Sequence, residues 1–324
     1  MRVGIDGRAI VAGPAGVATY VRNLLSWLPE LDPLCQPFPG NNFLWNQLRV
    51  PWAELSRSWD LYHGPGYTAP LLRLCPMVLA VHDISYLAHP EWYPYRLDWF
   101  RKAYYLASLR RADRILVPSE FTRQEVERIL PGLTRRVRKI PLAVSSEFHS
   151  DSRAAEKVRS DFELPDAFLL HVGDIHRRRN LPLLQQVARS VGLSLVLVGR
   201  VLDAGIRIQE NVRILSGVSI DQLRGLYSAA AVFVYASMYE GFGFPPLEAM
   251  ACGLPVVAVK RGAVPEVCGE AALWAEPAAA AFEEAVREGL EDRPTWAARG
   301  FDQANSFSWE RTALATRAAY RELI

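Results

Sequence analysis

The chain has 324 residues, half of them hydrophobic, enough for two domains of ordinary size with buried cores. Its net charge of +2 excludes the strong basic excess of a dedicated nucleic-acid binder. The start, MRVGIDGRAIV, has no basic segment followed by a long apolar one, no apolar run approaches the ~20 residues of a membrane span, and Cys35, Cys75, Cys252 and Cys268 form no CxxC pair; reduced thiols in a cytoplasmic protein without a signal peptide are therefore expected.

Short apolar runs alternate with longer amphipathic stretches. Candidate strands in the first half are Val3–Ile5, Leu61–His63, Val78–Val81, Ile115–Val117 and Val137–Ile140, with helical patterns over Ala18–Leu28, Trp99–Arg110 and Thr122–Leu130. After the polar segment 145–165 the cycle restarts with Phe168–Val172, Leu195–Val198, Val212–Leu215, Val232–Tyr235 and Val256–Val259, separated by helical patterns such as Leu181–Val191 and Ile220–Ser228. This alternation predicts an α/β fold of two Rossmann-like domains with parallel sheets facing across a cleft. The expected divisions are 1–145, 146–307 and a C-terminal helix, 308–324, capped by Ser308 and packing back towards the N-terminal domain.

Basic residues are concentrated between Arg96 and Lys139, where twelve Lys or Arg stand against five Asp or Glu. A solvated Arg-rich helical face explains this, and so does a surface that meets anionic lipid or an anionic acceptor. Only four of the 37 basic residues are Lys, a compositional bias towards Arg.

The segment FVYASMYEGFGFPPLEAMACGLPVVAV, 233–259, reads as strand, glycine loop, helix and strand. Gly241 and Gly243 allow close backbone approach to a ligand, and Pro245 and Pro246 suit a helix start whose N–H groups and dipole favour a phosphate. Taken singly, Glu248 suits a positive helix end and Glu240 an exposed loop.

Together the string resembles the E-x7-E signature of the retaining GT-B glycosyltransferases of family 4. The resemblance implies that Glu248 accepts hydrogen bonds from the donor's ribose, while Glu240 holds hydroxyls of the transferred sugar and stabilises positive charge at its anomeric centre. VGDIHRRRNLPLL, 172–184, resembles the family's VGxxxxRKNxxxL segment, placing Arg178 and Arg179 on the donor pyrophosphate. Arg179 stands where a Lys is common, Asp174 where some relatives carry Arg, and a solvent-exposed basic turn would also explain the three arginines.

GVSIDQLRGLYSAA, 217–230, RGAVPEVCGEAALWAEP, 261–277, FSWERTA, 307–313, and VPSEFTRQEV, 117–126, match the family in order. By the same resemblance Gly13, Gly16, Gly173, Val218, Gly241, Phe242, Gly243 and Phe244 border the donor. The Gly13–Gly16 spacing does not fit a dinucleotide GxGxxG fingerprint.

VLAVHDISYLAHP, 78–90, resembles the segment with the family's active-site histidine, which makes His82 a catalytic candidate; a strand-end histidine bonded to backbone is the alternative. His63 and Asp83, also at strand ends, are candidates for the acceptor side. The absence of Asp-x-Asp argues against a metal-bridged pyrophosphate, so no metal and no cofactor are expected.

The implied reaction is transfer of a hexose from a nucleoside diphosphate sugar, GDP-mannose before UDP-sugars, to a saccharide or lipid-linked acceptor with retention at the anomeric carbon. Polysaccharide or glycolipid assembly is expected, at the inner face of the membrane if the basic 96–139 stretch meets anionic lipid. A nucleotide-sugar 2-epimerase of the same architecture, or a non-catalytic nucleotide-sugar binder, is the alternative.

Overall fold

A computed structural model describes residues 1–13, 15–36, 41–93, 98–202, 205 and 207–324. The chain forms two compact units: Met1–Leu142 with Ser308–Ile324, and Ala143–Phe307.

The first unit is a six-stranded, all-parallel sheet of β1 (Val3–Asp6), β2 (Leu31–Leu34), β3 (Leu61–Gly64), β4 (Met77–Ala80), β5 (Arg114–Val117) and β6 (Val137–Lys139), in the order β2-β1-β3-β4-β5-β6. β3 and β4 are buried at every position, as in a sheet with both faces covered. β2, sequence LDPL, escaped the apolar pattern because Asp32 and Pro33 interrupt it; Pro33 is tolerated because β2 is an edge strand.

The helix Trp309–Arg321 completes this unit. Ser308 caps it by accepting the Arg311 N–H, and its buried face is Trp309, Thr312, Ala313, Thr316, Ala319 and Tyr320. Thr312 donates to the Pro141 carbonyl at 2.7 Å, Arg317 pairs with Glu30 at 2.5 Å, and Glu322 accepts from Arg114 and Arg138 at 2.9 Å each.

The second unit repeats the architecture with β7 (Phe168–Val172), β8 (Ser194–Val198), β9 (Val212–Leu215), β10 (Val232–Tyr235), β11 (Val256–Ala258) and β12 (Leu273–Trp274). Its order is β12-β11-β10-β7-β8-β9, all parallel. From β7 the chain winds outwards through β8 and β9, then returns to β10 on the other side. The direction of winding therefore reverses between β7 and β10, where open α/β sheets bind ligands beyond the carboxyl ends of the strands.

Packing in the first sheet explains one glycine. A Cβ on Gly4 of β1 would stand 2.1 Å from the Trp59 ring, and that indole is held by its Nε1–H to Asp32 at 2.8 Å and by stacking on Tyr62. Gly4→Ala is expected to cost about 1–3 kcal/mol by overpacking, read as a lowered midpoint in urea; unchanged stability would show that the indole yields freely.

Candidate donor site of the second unit

The reversal point in the second sheet gathers the polar residues that leave β7 and β10. Gly173 follows β7 with φ +136°, and a Cβ there would lie 3.2 Å from the Arg179 guanidinium. A glycine is thus required both by conformation and by the room Arg179 takes. The chain then makes the tight turn Arg177–Arg179, exits through Asn180 at φ +51°, and enters the helix Leu181–Ser190. Met238, after β10, donates its N–H to the Arg178 carbonyl at 2.8 Å, tying the two loops together.

This brings Arg179 onto Glu240. Arg179 Nη1 donates to Glu240 Oε1 and to the Tyr235 hydroxyl, and the guanidinium lies over the Tyr235 ring at 5.3 Å. Ser237 Oγ donates to the same Glu240 oxygen at 2.6 Å. Both charged residues are buried, at 9% and 8% exposure. Burial alone would raise the Glu240 pKa, but Arg179, then Arg178, with hydrogen bonds from Ser237 and Tyr235, hold it below the usual value. Glu240 is therefore an ionised carboxylate inside the protein. Arg179 Nε–H is buried without an acceptor among the described residues, so the guanidinium keeps hydrogen-bonding capacity in reserve.

Glu248 has a different environment. It lies on the helix Phe244–Ala251 and accepts from the Tyr227 hydroxyl at 2.8 Å, with burial pushing its pKa up to about 7. Gly243 begins this helix at φ +118° without a side-chain cap. The expectation of a helix N-terminus rich in N–H donors needs correcting. Pro245 and Pro246 carry none, and the Leu247 N–H points to the Gly243 carbonyl, so the positions 245–247 offer a ligand no backbone donor. The Phe242 ring packs edge-on against Phe244 and Phe307. Val218 lies half-exposed in a turn made by Gly217 at φ +69°. Asp174 is paired with Arg200 at 2.7 Å.

The remaining candidates stand in the first unit. His63, near the end of β3, is fully buried: Tyr320 meets its Nδ1, Tyr20 lies 3.3 Å from its Nε2, and burial pushes its pKa down to about 3. It clamps the C-terminal helix and presents no face to an acceptor, contrary to expectation. Asp83 accepts the Ser85 N–H and hydroxyl at 3.0 and 2.7 Å, which holds the turn Ser85–Ala88, and it stays half-exposed. His82, just beyond β4, donates Nε2–H to the Pro65 carbonyl at 3.0 Å and packs edge-on to Tyr20. The backbone-bonded alternative thus describes one of its nitrogens; burial lowers its pKa, and the neutral ring keeps a lone pair on Nδ1. Gly13 ends the short helix Arg8–Ala12, where a Cβ would meet Ala9, and Gly16 lies in the helix Ala15–Trp27; Pro14 between them is outside the described residues.

The motifs single out neither Tyr235, Ser237 nor Tyr227, and His171 reads from the sequence as structural or surface. Tyr235 ends β10 and meets Arg179 only because β10 pairs with β7. His171 on β7 stacks against Tyr235 with ring centroids 5.5 Å apart, and Tyr227 on the helix Ile220–Ala229 meets Glu248.

Comparison with known proteins gives the family. The family model described as "Glycosyl transferases group 1" matches residues 152–302, and "Glycosyltransferase Family 4" matches 32–148. The O-antigen chain mannosyltransferase B of Escherichia coli is 34% identical over 298 residues, covering 85% of this chain and 77% of that protein. The MMP alpha-(1->4)-mannosyltransferase of Mycolicibacterium hassiacum is 38% identical over 131 residues, 38% of this chain and 32% of its own length. Among solved structures, sucrose-phosphate synthase from Thermosynechococcus elongatus superposes with a TM-score of 0.76 at 21% identity, covering 99% of this chain and 98% of that one. HepE from Anabaena in complex with UDP-glucose gives 0.75 at 15%, covering 99% of both chains. Fold and relatives define a glycosyltransferase of the GT-B class. The chain belongs to the group 1, family 4 glycosyltransferases.

Two outcomes follow for the site. Tyr235→Phe leaves the Arg179–Glu240 pair short of a buried partner and is expected to cost about 1–3 kcal/mol, measured by denaturant unfolding. Glu248 has a folded pKa near 7, above its ordinary value, so its stabilising contribution is full at acid pH and lost as pH rises through about 7. Glu248→Gln should accordingly flatten the fall in melting temperature between about pH 5 and pH 8; an unchanged slope would assign that titration elsewhere.

Proposed function

We propose that the protein transfers a hexose, mannose in the first instance, from a nucleoside diphosphate sugar to an acceptor hydroxyl with retention of anomeric configuration. The second unit takes the donor and the first the saccharide or lipid-linked acceptor, in the assembly of a cell-surface polysaccharide or glycolipid. GDP-mannose is the favoured donor, with UDP-sugars second; the named mannosyltransferases among the relatives support mannose as the sugar.

The observation that carries the reading is the buried Arg179–Glu240 pair at the reversal point of the second sheet, beside the glycine loop. Arg178 and Arg179 supply fixed positive charge for a departing diphosphate, and preorganised donors of this kind each lower a barrier by roughly 3–4 kcal/mol. With two guanidinium groups in that role, and no Asp-x-Asp in the sequence, the reading needs no metal and no cofactor; the nucleotide-sugar is a co-substrate. Glu240, held ionised, faces the charge that develops at the anomeric carbon. As the bond from that carbon to the phosphate oxygen breaks, the acceptor oxygen bonds to the same face, and the leaving phosphate takes the acceptor's proton. Glu248 meets the ribose hydroxyls, and the Nδ1 lone pair of His82 accepts from a sugar hydroxyl.

The same proposal places the protein in the cytoplasm, touching the inner face of the membrane through the basic 96–139 stretch. Arg96 itself lies outside the described residues, among which no helix is long and apolar enough to cross a membrane.

Arg178→Ala and Glu240→Gln are each expected to lower transfer from GDP-mannose by about two to three orders of magnitude, with the fold verified by circular dichroism. Near-normal turnover in either would overturn the assigned roles. Epimer formed from donor alone, without acceptor, would favour the epimerase alternative, and tight nucleotide binding with neither transfer nor hydrolysis would favour the non-catalytic one. A larger thermal stabilisation by UDP than by GDP would reverse the donor order.

A further inference from the structure

The first unit carries an apolar surface that neither the core nor the site uses. Residues 42–57 form one continuous helical stretch, Asn42–Leu44, Trp45–Arg49 and Val50–Arg57. Its inner face is ordinary, with Trp45, Val50 and Ala53 fully buried. Its outer face is not. The exposed positions are Asn42, Leu44, Leu48, Trp52, Leu55 and Ser56. Leu48, Trp52 and Leu55 are 60%, 56% and 70% exposed, at the spacing of a single stripe.

The stripe is widened by its neighbours. Gln47 Oε1 accepts the Leu71 N–H at 3.0 Å and Glu54 Oε2 accepts the Leu74 N–H at 2.9 Å, which pins the loop carrying exposed Leu72 and Leu74 against this stretch. At the other end Phe43 packs on Phe100, beside Trp99, which is 71% exposed. Isolated exposed apolar residues need no explanation, but a contiguous group of this kind marks an interaction surface.

Charge selects the partner. Glu54, the stretch's one acid, is 4% exposed and turned inwards. The acids bonded to its neighbours are already paired: Asp32 with Arg57, Asp98 with Lys102 and Asp113 with Arg73. The Arg49 guanidinium lies over the Trp52 ring at 4.6 Å, an indole and guanidinium pair suited to the headgroup level of a bilayer. The first unit holds 21 Lys and Arg against 14 Asp and Glu, a net +7, while the second has 16 against 21, a net −5.

We propose that the outer face of residues 44–55, with Leu72 and Leu74, is a docking surface that lies in the headgroup region of an anionic lipid bilayer. Leu48, Trp52 and Leu55 enter the acyl boundary, and the basic excess of the unit supplies the attraction that an apolar stripe of this size needs as a second signal. The proposal is independent of the transfer reaction, and it places the contact on an apolar face instead of resting it on the charge of 96–139 alone.

Co-sedimentation of the full chain with vesicles of phosphatidylglycerol and phosphatidylcholine, against phosphatidylcholine alone, tests it. The full chain should bind the anionic vesicles, and Leu48→Glu/Trp52→Glu should reduce the bound fraction about tenfold at an unchanged melting temperature. Leu72→Glu/Leu74→Glu, off the helix, should reduce it too, which guards against a folding defect in the first variant. Glu240→Gln should bind as the unsubstituted chain does, so failure of the donor-site reading leaves this result untouched. Binding that high salt abolishes but neither pair of substitutions alters would overturn the proposal in favour of the basic stretch alone. Absence of binding to anionic vesicles would overturn it outright, as would sedimentation velocity showing a dimer that Leu48→Glu/Trp52→Glu dissociates while vesicle binding stays the same.

Discussion

The second unit's site depends on one buried ion pair. Glu240 sits where burial pushes a carboxylate towards the neutral acid, and it stays ionised because the Arg179 guanidinium lies against it. Neither charge is tolerable there alone, since removing one partner of such a pair costs about 3–5 kcal/mol by stranding the other. Several backbone choices serve this contact. Gly173 leaves room for the guanidinium, Asn180 turns the chain in the left-handed region, and Gly262 comes so close to the Glu240 backbone that a Cβ would stand 2.6 Å from its nitrogen. The Ala263 N–H then bonds the Glu240 carbonyl at 2.9 Å. The glycines and the charged residues are thus parts of one constraint, the burial of a carboxylate in its ionised form.

The two glutamates of the E-x7-E string divide the electrostatic work. Glu240 has cations beside it and lies below the ordinary range; Glu248 has a tyrosine hydroxyl and rises to about 7. A carboxylate held ionised suits positive charge developing on a sugar. A group poised near neutrality suits hydroxyl partners, because it accepts hydrogen bonds in either state and donates one when protonated. Environments that push two like residues apart in this way separate their roles without any change of residue type.

Much of this was legible in the sequence, and what was not has identifiable causes. Apolar runs marked most of both sheets, but β2 is broken by Asp32 and Pro33 and β12 is two residues long. The helical stretch 42–57 carries apolar residues on both faces, so no polar outer face marks it off as a surface helix. The motif named Arg179, Glu240 and Glu248, but their partners are tertiary facts. Arg179 and Glu240 lie 61 residues apart and meet only because β7 and β10 are neighbours. The same limit misplaced His63. A strand end is where sites form, yet the residue at that end is free for substrate only if no other element covers it, and the element that covers His63 comes from the far end of the chain.

That covering element gives the C-terminal helix more than a packing role. β3 and β4 are adjacent and parallel, and each ends in a histidine segment. Tyr20 touches both rings, with centroids 5.7 Å from His63 and 5.0 Å from His82. His63 is sealed by Tyr320, while His82 remains partly exposed and anchored through Pro65. The asymmetry is set by where the helix Trp309–Arg321 lies, and that is fixed at three points along its length by Thr312 on Pro141, Arg317 on Glu30 and Glu322 on Arg114 and Arg138. A shift of the helix would withdraw Tyr320 from His63 and loosen the ring wall formed by Tyr20, which also packs against Trp309. The orientation of His82 is therefore supported by residues more than two hundred positions later in the chain, and the C-terminal segment is a structural part of the first unit's polar centre.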